Sequence, residues 1–270
     1  MKKKMDVTVI MSVYNCEKEL PEAIDSILGQ TCGNLELIIC DDCSTDRTWQ
    51  VAHSYAVAHP GKILLLKNGR NRGQAYSRNR CILKARGRYI AMMDGDDRCS
   101  PLRIEKEMAF LEFHPEYAYV GTWMRMFDHR GFWGEFRYKE KPEPDDYVRR
   151  LPFCAASCLF RKEVLLEAGK YNESPRYSRV EDYRMMLSLM AAGFRGYNLQ
   201  EFLYEYREGE EAYARRKFRY RLHASRVLFE AIRELGLPVT KAVVALRPVA
   251  VGLVPADLYR VIHRILRRAK

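Results

Sequence analysis

Three acidic clusters hold most of the chemistry this sequence could perform: Asp41-Asp42, Asp94-Gly95-Asp96-Asp97 and Glu181-Asp182. Carboxylates bunched this tightly repel one another, so folding them together is costly unless a cation compensates. Hard oxygen ligands suit Mg2+ or Mn2+, which keep several waters and bind phosphate oxygens as well. The plainer reading of Asp-Gly-Asp-Asp is a solvated turn. Two clusters that each follow a buried strand on one sheet edge favour a metal and diphosphate site instead. For Glu181-Asp182, an acidic first helical turn that only complements the macrodipole stays equally open. Cys40-Asp41-Asp42-Cys43 has CxxC spacing, with Cys154 and Cys158 as conceivable partners. Zinc is disfavoured, because Cys40 ends an apolar run and a second CxxC is missing.

The elements that must position these acids follow from the hydrophobic periodicity. Apolar, β-branched runs predict strands from Val7 to Met11, Leu35 to Cys40, Ile63 to Leu66 and Tyr89 to Met93. Between them, Leu20, Ala23, Ile24, Ile27 and Leu28 recur at helical spacing. A second helix should follow Asp46, with Ser44 or Thr45 as cap, and a third should run from Gln74 to Lys84. Alternating strands and helices imply an α/β fold: a Rossmann-like, mostly parallel sheet flanked by helices, with its ligand crevice at the carboxyl ends of the strands. Ser100-Pro101 should open a helix running towards Phe113. The aromatic-rich stretch 117–160 reads as mixed sheet packing its own rings rather than as a cleft lining. A helix from Asp182 to Ala192 should stop at Gly193.

The chain has 270 residues and a formal net charge of +11. The surplus lies entirely between Tyr213 and Lys270, where fourteen Lys or Arg face three acids; the preceding residues balance to zero. Eight scattered cysteines suit a reduced, cytosolic protein. No apolar run approaches the roughly 18 to 20 residues of a membrane span, and a secretory signal is not expected. The polar run near Arg207 to Glu211 marks a boundary: a catalytic domain over 1–208, then a basic helical extension over 209–270.

The motifs and their order resemble the family 2 glycosyltransferases of the GT-A fold. The resemblance rests on Val9-Ile10-Met11-Ser12-Val13-Tyr14-Asn15, on Glu36 through Asp46, and on Asn71-Arg72-Gly73 through Arg78-Asn79. Gly87-Arg88-Tyr89-Ile90, Asp94-Gly95-Asp96-Asp97 as the DXD element and Glu181-Asp182-Tyr183 complete it, over about residues 5 to 205. It implies a nucleotide-sugar-binding half over about 1–100 and an acceptor-binding half over about 101–208. Ser12, Tyr14 and Asp41 would contact the base and ribose of the donor, a UDP-sugar, with Arg78 nearby. Asp96 would hold the ribose, and Asp96 and Asp97 the divalent cation. Asp182 would be the general base, because an acceptor hydroxyl is a poor nucleophile until a carboxylate takes its proton. One base and one metal imply a single displacement with inversion, to a saccharide or lipid-linked saccharide in surface polysaccharide or glycolipid synthesis.

Three departures stand out: Cys43 where the family commonly has glycine, so that the turn after Asp42 is expected to differ; no histidine in Cys154 through Lys162; and Arg184-Met185-Met186-Leu187 after the ED motif.

Other classes are less well supported. A dehydrogenase, a P-loop kinase or a metal-dependent nucleotidyltransferase should show glycines after the first strand, and Ser12 through Cys16 has none. A nucleic-acid-binding protein would have to use the basic tail, which offers few stacking aromatics, so no nucleic acid is expected. In that tail Leu258, Val261, Ile262, Ile265 and Leu266 lie on helical spacing between arginines. Such a helix suits peripheral contact with the cytoplasmic face of the inner membrane or, equally, packing on the catalytic domain or on a second subunit of a homodimer.

Overall fold

The computed structural model describes residues 5–208 and 217–254. Its first half is β1 (Val7–Val13), α1 (Leu20–Leu28), β2 (Leu35–Asp41), α2 (Thr48–Ala58), β3 (Ile63–Lys67), α3 (Gln74–Lys84) and β4 (Tyr89–Asp94). The second half comprises β5 (Arg98–Cys99), α4 (Arg103–Phe113), β6 (Tyr119–Asp128), β7 (Gly131–Phe136), α5 (Pro144–Arg149), β8 (Leu159–Arg161), α6 (Lys162–Glu167), α7 (Glu181–Ala191) and β9 (Gly196–Arg207). A C-terminal hairpin follows, with α8 (Phe218–Glu234), α9 (Ala242–Ala245) and α10 (Arg247–Gly252).

The strands form one sheet in the order β3-β2-β1-β4-β8-β6-β9-β5, with β7 paired to β6. β1 to β4 are parallel, and β8 runs antiparallel to both β4 and β6. All seven residues of β2 are buried, which is why it reads as a continuous apolar run rather than an alternating one. Its one acid on the way, Glu36, accepts the Thr8 hydroxyl at 2.7 Å and the Arg86 amide at 2.8 Å. Leu20, Ala23, Ile24 and Ile27 of α1 are buried as their spacing predicts. Gly87 is required at the entry to β4, since a Cβ there would lie 2.5 Å from the Thr8 amide nitrogen.

Both helix starts differ from expectation. Neither Ser44 nor Thr45 caps α2: Ser44 turns to Asp41, the Thr45 hydroxyl to Asn15, and Asp46 Oδ1 accepts the Thr48 amide at 2.9 Å. α4 begins at Arg103, two residues later than Pro101, with Ser100 Oγ accepting the Leu102 amide at 3.4 Å. The aromatic stretch packs on itself, Tyr119 against Phe153 and Phe160 and Phe136 against Tyr138, while Trp123 packs outside it on Phe202 of β9. Gly193 ends α7 region with φ +85°, as its position after the last periodic residue predicts.

α8 packs on the body. Val227 and Ala231 join Tyr177 and Leu187 in one buried cluster, and Leu228 and Ile232 join Val148 and Ala245 in another. Among the described residues no helix is long and apolar enough to cross a membrane. The expected amphipathic stripe from Leu258 to Leu266 lies outside the described residues.

Candidate active site

β1, β2 and β4 end level with one another. The register pairs Ser12 with Cys40 and Asp94, and Val13 with Asp41, so Ser12, Asp41 and Asp94 meet on three adjacent strand ends. Tyr14 projects past them and is 47% exposed. The loops after β1 and β2 are tied together: the Asn15 amide donates to Ser44 Oγ at 3.1 Å, and the Thr45 amide to Asn15 Oδ1 at 2.8 Å.

Asp41 and Asp42 are both buried. Asp41 accepts the Ser44 amide at 3.2 Å and the Ser44 hydroxyl. Asp42, which the spacing did not single out as a ligand, accepts Asn68 Nδ2 at 2.7 Å and the Arg72 and Gly73 amides at 2.8 and 2.7 Å. It thereby fixes the approach to α3. Between these acids and Ser44, Cys43 adopts φ 63°. The turn expected to differ here takes the left-handed conformation that glycine favours, at a cost of about 1–2 kcal/mol for a side-chain-bearing residue.

The Asp94 to Asp97 loop is packed closely against β1. A Cβ at Gly95 would lie 2.7 Å from Val13 Cγ1, so only glycine fits. Asp97 turns inward and is 1% exposed. Its Oδ2 accepts the Tyr204 hydroxyl at 2.8 Å and its Oδ1 the Arg207 amide at 2.7 Å. Arg207 also donates from Nε to the Asp96 carbonyl at 2.7 Å and pairs with Glu22. Burial, with Asp96 and Asp94 beside it, pushes the Asp97 carboxyl well above the ordinary carboxylate range. Asp96 is partly exposed.

The third cluster reaches the same place from the other half of the chain. Asp182 stands in the first turn of α7 with 30% of its side chain exposed. Its Oδ1 accepts from Arg78 Nη1 and, at 3.0 Å, from the Tyr171 hydroxyl. Arg78, expected near the donor, is 1% exposed and reaches the crevice only through its partners: Nη2 pairs with Asp94 Oδ1 at 2.6 Å. Gln74 Nε2 donates to that same oxygen at 3.2 Å. Burial opposes the charge on Arg78, but Asp182, Tyr171 and Asp94 outweigh it and hold the guanidinium ionised. For Asp182, burial and then the charge of Asp94 raise the pKa, Arg78 and Tyr171 pull it back, and the balance lies above the ordinary value.

Tyr171 is the partner that no sequence signal marked. It follows Gly169 and Lys170, at φ 83° and 64°, and its backbone is clamped by Asn79, which donates to its carbonyl and accepts its amide, both at 2.9 Å. Tyr204 and Arg207 were missed for the same reason: each lies more than 100 residues from the loop it holds.

Of the two acids expected to hold a divalent cation, Asp97 is buried with both oxygens accepting hydrogen bonds, so the expectation of Asp97 as a ligand is not met and Asp96 is left for that role. Among the described residues no group of three or more His, Cys, Asp or Glu forms a closed metal cage. Mg2+ and Mn2+ need none, since one or two carboxylates together with phosphate oxygens and water complete their shell.

A parallel sheet whose acidic loops crowd the carboxyl ends of β2 and β4, joined to a mixed second half that delivers one more acid, is the GT-A architecture. The mannosyltransferase PcManGT of Pyrobaculum calidifontis, solved with GDP-Man and Mn2+, superposes with a TM-score of 0.69 at 20% identity, over 98% of this chain and 81% of its own. The chain belongs to glycosyltransferase family 2: the model of "Glycosyl transferase family 2" matches residues 8–168, and that of "Glycosyl transferase family group 2" residues 89–267. EpsE of Bacillus subtilis (strain 168) is 40% identical over 96% of this chain and 93% of its own length. The Escherichia coli UDP-Glc:alpha-D-GlcNAc-diphosphoundecaprenol beta-1,3-glucosyltransferase WfaP is 30% identical over 82% and 85%.

Proposed function

We propose that this chain transfers a sugar, with inversion, from a UDP-sugar to a hydroxyl of a lipid-linked saccharide in the synthesis of a surface polysaccharide or glycolipid, with Asp182 as general base. The observation that carries this reading is how Asp182 is held. Both of its hydrogen bonds fall on Oδ1, so Oδ2 is the oxygen left to receive the acceptor's proton. Burial raises the Asp182 pKa above the ordinary carboxylate value, which makes the ionised group a stronger base than a solvated aspartate, and Arg78 beside it pulls the pKa back.

The donor would lie across the ends of β1, β2 and β4, with Ser12, Tyr14 and Asp41 around its base and ribose. Asp96 would hold the divalent cation, which when bound offsets the charge developing on the departing diphosphate. Asp97, anchored by Tyr204 and Arg207, fixes the loop that presents Asp96. Arg78 positions Asp94 and Asp182 rather than touching the donor. Residues 1–100 would thus form the donor half and 101–208 the acceptor half. The UDP-sugar and the lipid-linked acceptor are supported by the name of WfaP.

The test is a screen of nucleotide sugars against diphosphoundecaprenol-linked saccharides with Mn2+ or Mg2+, reading the anomer of the product. Transfer from a UDP-sugar with inversion is expected. A product of retained configuration would sink the single-displacement mechanism, and transfer from other nucleotides alone would remove the UDP assignment.

A further inference from the structure

The C-terminal hairpin turns an uncommon face outward. α8 turns its acids mainly inward: Glu230 accepts the Tyr177 hydroxyl at 3.1 Å, and Glu234 pairs with Arg184 at 2.8 Å and more loosely, at 3.7 Å, with the exposed Arg233. Its outer stripe is Phe218, Leu222, Arg226, Phe229 and Arg233, spaced by four, four, three and four residues and exposed throughout. Gly252 of α10 sits against Phe218, and the next residue, Leu253, is 75% exposed. A helix face that is merely solvated mixes charges of both signs and carries few large apolar side chains. This one alternates phenylalanine and leucine with arginine.

We propose that this face rests on an anionic lipid surface. Phe218, Leu222 and Phe229 would enter the boundary between headgroups and acyl chains, while Arg226 and Arg233 extend along them to the lipid phosphates. Charge selects this occupant. Residues 217–254 hold seven Lys or Arg against two acids, and residues 255–270 hold five against one, so neither a second copy of the hairpin nor the chain's own C-terminal segment offers opposite charge. Nucleic acid would match the arginines but leave Leu222 and Phe229 without apolar partners. α8 packs on α7, which carries Asp182, so the lipid surface would lie one helix away from that acid. Lipid contact by this face does not depend on the transfer chemistry.

The test is co-sedimentation of the full chain with vesicles of phosphatidylglycerol and phosphatidylcholine, and with phosphatidylcholine alone. Binding to the anionic vesicles only is expected. Leu222→Glu with Phe229→Glu should lower the bound fraction at least about tenfold with an unchanged melting temperature, both side chains being exposed. Arg226→Gln with Arg233→Gln should weaken partition roughly thirtyfold and flatten its salt dependence. Ile262→Glu with Leu266→Glu, beyond the hairpin, should keep most of the binding. The proposal is overturned if the full chain ignores anionic vesicles, or if the 222/229 pair binds like wild type. It is equally overturned if the 262/266 pair alone abolishes binding, if a solution dimer disappears in the 222/229 variant while vesicles are never bound, or if RNA or DNA is held in preference to vesicles.

Discussion

The two sides of the crevice restrain their acids by opposite means. At the ends of β2 and β4, Asp41, Asp42 and Asp97 are held by backbone amides, a serine and a tyrosine hydroxyl and an asparagine amide. These are dipoles without net charge, so they orient the carboxyl groups without supplying a counter-charge; burial pushes Asp97 towards its neutral form, and Asp94 beside it shares the guanidinium that holds Asp182. Across the crevice Asp182 is held by a buried guanidinium, a full positive charge. The first arrangement orients its acids by dipoles alone; the second sets a single carboxyl beside a full positive charge that lowers its pKa where burial raises it. Acids that look alike in sequence, as clusters, are restrained differently because one group receives only dipoles and the other a cation from its own chain.

The largest effect should come from removing that internal charge. Arg78→Met leaves Asp94 and Asp182 near each other without their counter-ion, and should cost about 3–5 kcal/mol of stability, read by denaturant unfolding. A variant as stable as wild type would show that the two carboxylates do not need the guanidinium.

Next in size, Asp182→Asn should lower kcat/KM about 10³-fold while the donor's KM changes little, since a base acts on the acceptor's proton. Transfer near the wild-type rate would end its role. Chelation of divalent cations should then cost about a hundredfold in rate, restored by Mn2+ or Mg2+; full activity in chelator would break the contrast between the two sides.

The smallest and most diagnostic change is Tyr171→Phe. The Tyr171 hydroxyl lowers the pKa of Asp182, so its loss should move the acid limb of the pH profile further up and reduce kcat about tenfold at the wild-type optimum. The sign is fixed by the base having to be ionised: activity falls as pH drops through a pKa that already lies above the ordinary aspartate range. The same raised pKa means that the folded state favours the protonated form. Its contribution to stability is therefore greatest below the unfolded-state value and is lost as pH rises through the folded one. A limb that moves down in Tyr171→Phe would contradict the hydrogen bond.

Much of the parallel half was legible because it is local. Buried parallel strands announce themselves as apolar runs, and Val7–Val13, Leu35–Asp41 and Tyr89–Asp94 each extend the predicted strands by one or two residues; acids directly follow the second and third of these runs. The helix from Gln74 to Lys84 has its predicted ends. The other side was legible only as a motif. Nothing near Glu181-Asp182 indicates that the partner of Asp182 is an arginine 104 residues earlier, or that Tyr171 lies beside it. Helix caps were misread where Asx and serine side chains had other bonds to make, as at Ser44. The basic tail was read from its last residues, whereas the exposed stripe sits on α8, where the apolar periodicity also serves burial and so hides which face remains outside.

The guanidinium of Arg78 also bears on how the molecule comes into being. Its two acidic partners lie 16 and 104 residues further along the chain. While the protein is being synthesised, a first hundred residues that had already collapsed would enclose this cation with Asp94 alone, and its charge would be fully matched only after residue 182 has been added and α7 has docked. The two parts of the sheet are therefore not independent modules: a fragment ending near residue 100 would be a metastable intermediate and a substrate for proteases, and the crevice would be completed with the last half of translation rather than grow with chain length.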